Sequence, residues 1–333
     1  MGPTEGMGGL DFAQATEAIR GIASRTPLLE APALSERLGV PVWLKAECLQ
    51  VTGSFKVRGA AARLAALSEH ERERGVVACS SGNHGRAVAY VAERLGIPAT
   101  VCVPRWVDPV KLEGIRAHGA EALLVGDTFD ESEAHALDLA RKSFRRYVSA
   151  YDDPWVIAGQ GTLALEILDQ LNAVPGAVLA PLSGGGLIGG IAAALQERLL
   201  GDAPRVVAVS AEAAAVMLAS LRAGKSVELP EQETLANALA GVVGLENQYS
   251  FDLVRNCVQE HVSVSEAEIE NAMVYAATSL RLVVEGGGAV ALAALLSGVW
   301  APHADGPDPE RPVVVVLSGG NVAPATLASV LSG

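Results

Sequence analysis

Residues 177–190 read AVLAPLSGGGLIGG, an apolar run followed by a glycine-rich turn and a second apolar segment. The first part has the length and composition of a buried strand, and a helix that carries no charge as far as residue 196 is predicted from Ile188. Three consecutive glycines are costly in a simple turn unless another group must approach the backbone closely. Such a turn can direct several backbone N–H groups and a helix N-terminus at one anion. The stretch therefore predicts a strand, a phosphate-binding turn and a helix.

The same alternation of strand and helix extends through the whole chain. Apolar, partly β-branched runs predict strands at 42–44, 75–79, 99–103, 122–125, 177–182, 205–209 and 312–317. Helices are predicted between them at 85–95, 130–145, 162–171, 188–200 and 266–280. Ser265 and Glu268 form a capping box at the start of the last helix. This order predicts an α/β fold with open, mainly parallel twisted sheets flanked by helices.

The charge of the chain argues against nucleic acid as a partner. Its 25 Lys and Arg residues and 38 Asp and Glu residues give a net charge of −13. An acidic balance of this size repels phosphate backbones but permits one local pocket for a small anion. The 333 residues, 50% of them hydrophobic, are enough for about two domains with buried cores.

The sequence predicts neither a membrane span nor a secretion signal. Residues 170–196 carry no charge and are long enough to cross a bilayer. However, Pro175, Pro181 and five glycines between 184 and 190 would leave backbone groups unpaired in lipid, which favours a soluble protein. The N-terminus has no basic region before an apolar core, and the cysteines are scattered. Reduced thiols in a cytoplasmic protein are expected.

A second polar loop follows the predicted strand at 75–79. Residues 80–85 read SSGNHG and offer hydroxyls, an amide and N-terminal N–H groups to a carboxylate or a polar ring oxygen. A lone polar residue in such a turn would serve only as a helix cap. Six in succession are more than a cap requires. We therefore expect this loop to bind a small polar ligand.

Lys56 is the candidate for covalent chemistry. It stands in TGSFKVRGA at 52–60, where Ser54 is predicted to cap a helix whose first turn contains Lys56. The positive end of the helix dipole and the small apolar surroundings both disfavour the charged amine. One of the chain's five lysines in this setting is a candidate for a lowered pKa and a Schiff base. The alternative is a solvated surface lysine.

The glycine turn by itself leaves the cofactor open. Gly184, Gly186 and Gly189 satisfy the pattern G-x-G-x-x-G, and Glu212 follows Gly189 by 23 residues. This spacing is compatible with a dinucleotide site and an NAD-dependent oxidoreductase. That alternative leaves Lys56 and the loop at 80–85 without a role.

Taken together and in this order, the motifs resemble the fold-type II family of pyridoxal 5′-phosphate enzymes, which includes threonine and serine dehydratases and serine racemase. The matching motifs are RTPL at 25–28, KAE at 45–47, SFKVRGA at 54–60, SSGNHG at 80–85, IAGQGT at 157–162, SGGGL at 183–187 and SGGN at 318–321. The resemblance implies a tryptophan synthase β-like fold, pyridoxal phosphate as cofactor and a homodimer. It also implies a discontinuous large cofactor-binding domain at 1–70 and 150–333 and a small domain at 71–149.

The resemblance further implies a role for each site residue. Lys56 would hold the cofactor aldehyde as a Schiff base, and Phe55 would pack against the ring. Asn83 would bind the ring hydroxyl, and Ser318 would contact the pyridine nitrogen. The cofactor phosphate would be held by Gly184, Gly185, Gly186 and Leu187. The substrate would be held by Ser80, Ser81, Asn83 and His84, and Ser81 matches the second acid/base of racemases.

A serine at the pyridine nitrogen has a chemical consequence. It stabilises a pyridinium less than a carboxylate would, so the ring is a weaker electron sink. Transamination is then disfavoured and β-elimination favoured, with Lys56 removing the α-proton. The expected activity is a dehydratase that converts a β-hydroxy amino acid to a 2-oxo acid and ammonia. A serine-type racemase and a non-catalytic binding protein are the alternatives.

Two short segments bear on the substrate. VSAE at 209–212 and GLENQYSF at 244–251 are similar to the subgroup of hydroxyectoine-utilisation dehydratases. This similarity implies a β-hydroxylated amino acid other than, or besides, threonine. Racemase-like members bind a divalent cation through acids at positions where this chain has Ser210 and Ala215. With only Glu212 nearby, no metal is expected.

Overall fold

The computed structural model of the chain describes residues 9–80, 82–230, 232–241, 244, 247–302 and 311–333. Its strands are β1 (Leu28–Glu30), β2 (Val42–Ala46), β3 (Val76–Cys79), β4 (Ala99–Val103), β5 (Glu121–Leu124), β6 (Arg146–Tyr147), β7 (Ala177–Pro181), β8 (Arg205–Ala211), β9 (Glu260–Val264) and β10 (Val313–Leu317). Its helices are α1 (Phe12–Ile19), α2 (Pro32–Leu38), α3 (Lys56–Ala65), α4 (Glu69–Arg74), α5 (Asn83–Leu95), α6 (Pro109–Arg116), α7 (Phe129–Ser143), α8 (Pro154–Leu171), α9 (Gly186–Leu199), α10 (Val216–Ala223), α11 (Ser250–Cys257), α12 (Glu266–Tyr275), α13 (Gly286–Ser297) and α14 (Pro324–Ser332).

The larger sheet has the strand order β1-β2-β10-β7-β8-β9. Only the β1–β2 pair among these strands is antiparallel, and the other neighbours run parallel. Strand β10 is buried along its length because helices cover both faces. Val314 and Val316 pack in the core shared with α8 and α9, whereas Val313 and Val315 pack in the core shared with α12 and α13.

The smaller sheet has the strand order β5-β4-β3-β6, and its strands are parallel. One face packs on α5 and α6 through Val101, Val103 and Ile115. The other face packs on α7 through Val77 and Cys102. Both sheets are thus sandwiched between helices, which confirms the predicted α/β class.

Most predicted strands and helices lie within a few residues of their observed positions, and the capping box of Ser265 and Glu268 is present. The prediction omitted β1, β6 and β9. It also began α8 at Thr162, whereas the helix begins at Pro154 with Asp153 as its N-cap. The predicted last helix changes at Ala276–Leu280 to a π-helical turn.

Helices α3 and α8 approach each other closely through glycines. A Cβ on Gly159 would lie 2.7 Å from the Cα of Gly59, and a Cβ on Gly59 would lie 2.9 Å from Val156 Cγ1. Any side chain at either position would push the helices apart. The two glycines therefore set the distance of α3 from α8.

The carboxyl ends of β3, β7 and β10 lead directly into the three polar loops of the sequence. This is the edge at which parallel sheets bind ligands. The described residues contain no helix that is both long and apolar enough to cross a membrane. The four cysteines are free and buried, as expected for Cys79 and Cys102.

Candidate active site

Lys56 is the first residue of α3, and its amine is withdrawn from water. The amine donates a hydrogen bond of 2.7 Å to the carbonyl of Ala150 and lies 5.1 Å from the centre of the Phe55 ring. Desolvation lowers the pKa of Lys56 to about 8, although the negative charge of Glu285 acts in the opposite direction. The predicted lowering is confirmed, and the alternative of a solvated surface lysine is wrong.

The loop after β10 holds the start of α3. The N–H of Phe55 donates to the carbonyl of Ser318 at 3.0 Å, and Ser54 forms an isolated β-bridge with Gly319. The predicted capping by Ser54 is wrong, because Phe55 is the N-cap and no side chain bonds to the first turn. The hydroxyl of Ser54 is buried and has no hydrogen-bond partner within the described part of the chain.

A cluster of four charged side chains anchors α3. Arg58 donates two hydrogen bonds to Glu47 at 2.8 and 2.9 Å, and two to Glu166 at 2.7 and 2.8 Å. Lys45 also contacts Glu166, at 2.7 Å. Desolvation opposes the charge of Arg58, but the two carboxylates outweigh it and raise its pKa. Two positive and two negative charges thus compensate each other in this cluster, which holds α3 through Arg58.

The glycine turn after β7 has the form predicted for an anion site. Gly185 is the N-cap of α9 with a φ of 87°, which favours glycine. A Cβ on Gly184 would lie 2.6 Å from Cδ1 of the Tyr151 ring, and a Cβ on Gly186 would lie 2.6 Å from the Tyr151 carbonyl. Within the described residues, the N–H groups of Gly184, Gly186 and Leu187 donate no hydrogen bond to the protein. They can therefore bind an anion.

Residues 150–152 connect the amine to the glycine turn. The carbonyl of Ala150 holds Lys56, and the hydroxyl of Tyr151 accepts a 3.0 Å hydrogen bond from the N–H of Gly244. The carboxylate of Asp152 accepts the N–H groups of Tyr249 and Ser250 at 2.9 Å, at the start of α11. Sequence reasoning gave these three residues no role. Their only signal was their position just before the Asp-Pro start of α8.

The loop after β3 carries the predicted substrate residues. The hydroxyl of Ser80 accepts the N–H of Gly82 at 3.1 Å, and Ser81 lies outside the described residues. Nε2 of His84 is 2.9 Å from the carbonyl of Val148. Desolvation and the charge of Lys56 lower the pKa of His84 to about 3. The neutral ring therefore donates from Nε2 and ties the loop to Val148.

Asn83 is the first residue of α5 and contacts two residues from distant parts of the sequence. Its Nδ2 donates to Oε1 of Glu285 at 2.5 Å, and its Oδ1 accepts from Nδ2 of Asn321 at 2.7 Å. Glu285 is 8% exposed, and desolvation raises its pKa against the effect of nearby cations. Sequence reasoning missed Glu285, although the glycines at 286–288 that follow it resemble the turn at 184–186.

The structure therefore brings those predicted residues that it describes, all except Ser81, to the ends of strands β3, β7 and β10 and the start of α3. Ser318, at the end of β10, is buried and bonded to Phe55 through its carbonyl. The charge of Glu285 raises the pKa of Lys56, and the charge of Lys56 lowers the pKa of His84, so the three side chains are near one another. A desolvated amine, a glycine turn and a polar loop are thus connected by contacts at these strand ends.

A family model described as pyridoxal-phosphate dependent enzyme matches residues 19–319. The chain belongs to this family of pyridoxal-phosphate-dependent enzymes. The L-threonine ammonia-lyase of Thermotoga maritima is 40% identical over 312 residues, which are 94% of this chain and 75% of that protein. The catabolic L-threonine dehydratase TdcB of Escherichia coli K12 is 37% identical over 94% of this chain and 92% of its own length. The solved structure of maize serine racemase has a TM-score of 0.88 and 30% identity, and the match covers 97% of each chain.

The residues of the site fit pyridoxal phosphate, the cofactor of this family. The desolvated amine of Lys56 suits an aldehyde, and the free N–H groups at 184–187 suit a phosphate. Gly184 and Gly186 leave no room for a side chain beside Tyr151. The hydroxyl of Ser54 adds a buried polar group without a protein partner in the described residues. A dinucleotide would leave the amine of Lys56 and the loop at 80–85 without a role. Membership of the family identifies the cofactor as pyridoxal phosphate and not NAD.

Proposed function

We propose that this chain is a pyridoxal-phosphate-dependent ammonia-lyase that acts on a β-hydroxy amino acid. The observation that carries the proposal is the amine of Lys56, whose pKa is lowered to about 8. This amine is joined to the glycine turn through Ala150 and Tyr151. The relatives named as threonine ammonia-lyase and threonine dehydratase support elimination as the reaction.

The proposed reaction balances as follows. The amino acid loses the proton on Cα and the hydroxyl on Cβ as water, and the unsaturated amine that remains takes up water to give a 2-oxo acid and ammonia. Bound pyridoxal phosphate supplies the electron-withdrawing group that acidifies the Cα proton. Lys56 accepts that proton as general base, and a pKa of about 8 keeps part of the amine neutral at neutral pH.

The other site residues bind and orient. The N–H groups of 184–187 hold the phosphate, Phe55 packs against the ring and Asn83 binds the ring hydroxyl. The substrate carboxylate is held by Ser80, Ser81 and His84. Because the imidazole of His84 is engaged with Val148, we assign its contribution to the backbone N–H.

Ser318 directs the outcome of proton removal. We propose that its hydroxyl contacts the pyridine nitrogen, consistent with its buried position at the end of β10. A neutral hydroxyl leaves the nitrogen less positive than a carboxylate would. Loss of the β-hydroxyl requires less negative charge to be delocalised into the cofactor ring than transamination does. Elimination is then favoured over transamination.

The finer proposal for the substrate is a hydroxyectoine-derived amino acid. The segment at 244–251 that resembles this subgroup begins, at Gly244, beside Tyr151. Gly244 bonds to Tyr151, whose ring covers Gly184. Leu245 and Glu246 lie outside the described residues. The position of the segment beside the phosphate turn supports an influence on which β-substituent is accepted.

Racemisation of a serine-type amino acid is the second candidate. The likeness to maize serine racemase over nearly the whole chain favours it. It requires a proton donor on the opposite face of the cofactor, the role that the sequence assigns to Ser81. Measurement of D-amino acid beside 2-oxo acid distinguishes the two activities.

We also propose the domain division and the dimer implied by the sequence. The strands of the smaller sheet all fall within 71–149, which supports a small domain there. Three large apolar side chains are about half exposed: Leu49 (52%), Val51 (48%) and Val283 (49%). The two segments that carry them both contact Gly320, through Cys48 and Val283. Such apolar exposure supports an interface with a second copy. A cytoplasmic location is supported by the free thiols of the cysteines.

An absorption spectrum of the purified protein with pyridoxal phosphate tests the cofactor assignment. We expect a visible band that borohydride bleaches in the wild type and that is absent from Lys56→Ala. Release of 2-oxo acid from threonine, serine, hydroxyaspartate and hydroxyectoine-derived amino acids then identifies the substrate. A protein that stays colourless with added pyridoxal phosphate would contradict the proposal.

A further inference from the structure

A line of hydrogen bonds runs from Arg86 to Glu285 through two asparagine side chains. Nη1 of Arg86 donates to Oδ1 of Asn321 at 2.9 Å, and Nδ2 of Asn321 donates to Oδ1 of Asn83 at 2.7 Å. Nδ2 of Asn83 then donates to Oε1 of Glu285 at 2.5 Å. Asn321 ends the SGGN motif, and no role has been assigned to it or to Arg86.

The partners of Asn321 permit only one orientation of its amide. The guanidinium of Arg86 can only donate, and the backbone carbonyl of Thr52, which accepts from Nδ2 of Asn321 at 2.9 Å, can only accept. Turning the amide over would set N–H against N–H at Arg86 and oxygen against oxygen at Thr52. Both N–H groups of Asn321 are therefore committed, one to Thr52 and one to Asn83.

Asn83 takes its orientation from Asn321. Because its Oδ1 accepts from Asn321, its Nδ2 must point to the other side, toward Glu285. One of the two Nδ2 hydrogens is bonded to Glu285, and the other remains for a ligand. The amide thus presents a donor, and not an acceptor, to whatever occupies the site.

We propose that Asn321, supported by Arg86, is a positioning residue that makes Asn83 a hydrogen-bond donor to the ring hydroxyl of the cofactor. The proposal rests on the proposed function, in which Asn83 contacts that hydroxyl. A donor stabilises the ionised form of the hydroxyl, whereas a carbonyl oxygen at the same place would oppose ionisation. The orientation of one amide therefore controls the charge of the cofactor ring.

The variant Asn321→Asp tests this inference. Aspartate can accept from Arg86 but cannot donate to Asn83, so the Asn83 amide is expected to turn its oxygen toward the ring. The pH midpoint of the visible absorption change of the bound cofactor should then rise by about one unit or more. The dissociation constant of pyridoxal phosphate, measured by titrating the apoprotein, should rise about tenfold.

A second substitution separates orientation from stability. In Asn321→Asp with Glu285→Gln, the glutamine amide can donate to the reversed Asn83, so the partners of Asn83 are again satisfied and only the hydrogen bond to Thr52 is lost. We expect the thermal stability of the apoprotein to recover in part, while the spectroscopic midpoint stays displaced from that of Glu285→Gln alone, which is the reference because the charge of Glu285 itself acts on Lys56. Arg86→Lys, which keeps a group that can only donate, should retain the wild-type midpoint, and Arg86→Glu should displace it.

The outcomes distinguish the two levels of the proposal. Absence of a Lys56-dependent visible band in the wild type would overturn the proposed function. A normal band whose midpoint is the same in wild type, Asn321→Asp and Arg86→Glu would overturn the positioning role alone. If the double variant had the same midpoint as Glu285→Gln alone, together with the recovered stability, Asn321 would have a structural role only.

Discussion

The ring of Tyr151 lies directly against Gly184, with space between them for no further atom. A Cβ at Gly184 would come within 2.6 Å of three ring carbons. The same side chain is tied to Gly244 through its hydroxyl, and the preceding carbonyl holds the amine of Lys56. Tyr151 therefore limits the space at the glycine turn, while the neighbouring carbonyl of Ala150 holds the lysine.

Gly184→Ala should destabilise the protein because the ring must move. Overpacking of this kind costs about 1–3 kcal/mol, which urea denaturation of the apoprotein would measure. In a Tyr151→Ala background the clash is gone. The loss of unfolding free energy caused by Gly184→Ala should then be less than half of its value in the wild-type background. An equal cost in both backgrounds would show that Tyr151 is not the cause.

Capture of pyridoxal phosphate by the apoprotein should accelerate as the pH rises through about 8. The neutral amine is the nucleophile, and lowering of the pKa of Lys56 to about 8 makes that form abundant above this pH. The neutral fraction, and with it the rate, should increase about tenfold between about pH 7 and pH 9. Stopped-flow absorbance would measure the profile, and a midpoint close to that of an ordinary lysine would contradict it.

Glu285→Gln should move this midpoint to lower pH. The negative charge of Glu285 raises the pKa of Lys56 against the effect of desolvation, so its removal leaves desolvation unopposed. Glu212→Gln is a matched control, because Glu212 is exposed and does not act on the pKa of Lys56. A shift of equal size in both variants would point to net charge as the cause.

Arg58→Met should be among the most destabilising single substitutions. It leaves Glu47 and Glu166 with Lys45 as the remaining cation of the cluster, and breaking a buried ion pair in this way costs about 3–5 kcal/mol. Denaturant unfolding would measure the loss.

Two matched variants test the cause of that loss. Arg58→Lys keeps the charge but loses the paired hydrogen bonds, so it should be intermediate. Adding Glu47→Gln to Arg58→Met removes the uncompensated charge and should recover about 1 kcal/mol or more. No recovery would show that packing, and not charge, is what Arg58 supplies.

The parts of the fold that the sequence predicted are those with a strong local pattern. Strands β7 and β10 are uninterrupted apolar runs, and a buried strand needs no distant information to be recognised. Strand β9 reads EHVSV at the edge of the sheet and is largely not buried, so it lacks such a pattern. Strands β1 and β6 have three and two residues, too few for any periodicity to appear.

The start of α8 was missed for a different reason. Gly159 and Gly161 interrupt its first half, and glycine normally disfavours helix interiors. Here α8 approaches α3 so closely at Gly59 that Gly159 can have no side chain. Such a requirement comes from tertiary packing and is invisible in a local window.

Within the site, sequence motifs predicted the groups whose neighbours in the sequence share their function. They did not predict the groups that come together only when the chain folds. Lys56 and the turn at 184–187 could be predicted from their immediate neighbours. Glu285 is 202 residues from Asn83, and Glu166 is 108 residues from Arg58. Nothing in either segment indicates its partner, so both contacts required the fold.

The loop at 80–85 extends from the smaller sheet, whereas Lys56 and its charged anchor are held against β2 and α8 beside the larger one. Under the proposed function, the loop that would bind the substrate and the lysine that would remove its proton are encoded in separate stretches of the gene. Mutations can diversify recognition in one stretch while purifying selection preserves the other. Under the proposed function, an exchange of the segment 71–149 between relatives would replace the carboxylate-binding loop without rebuilding the reactive amine.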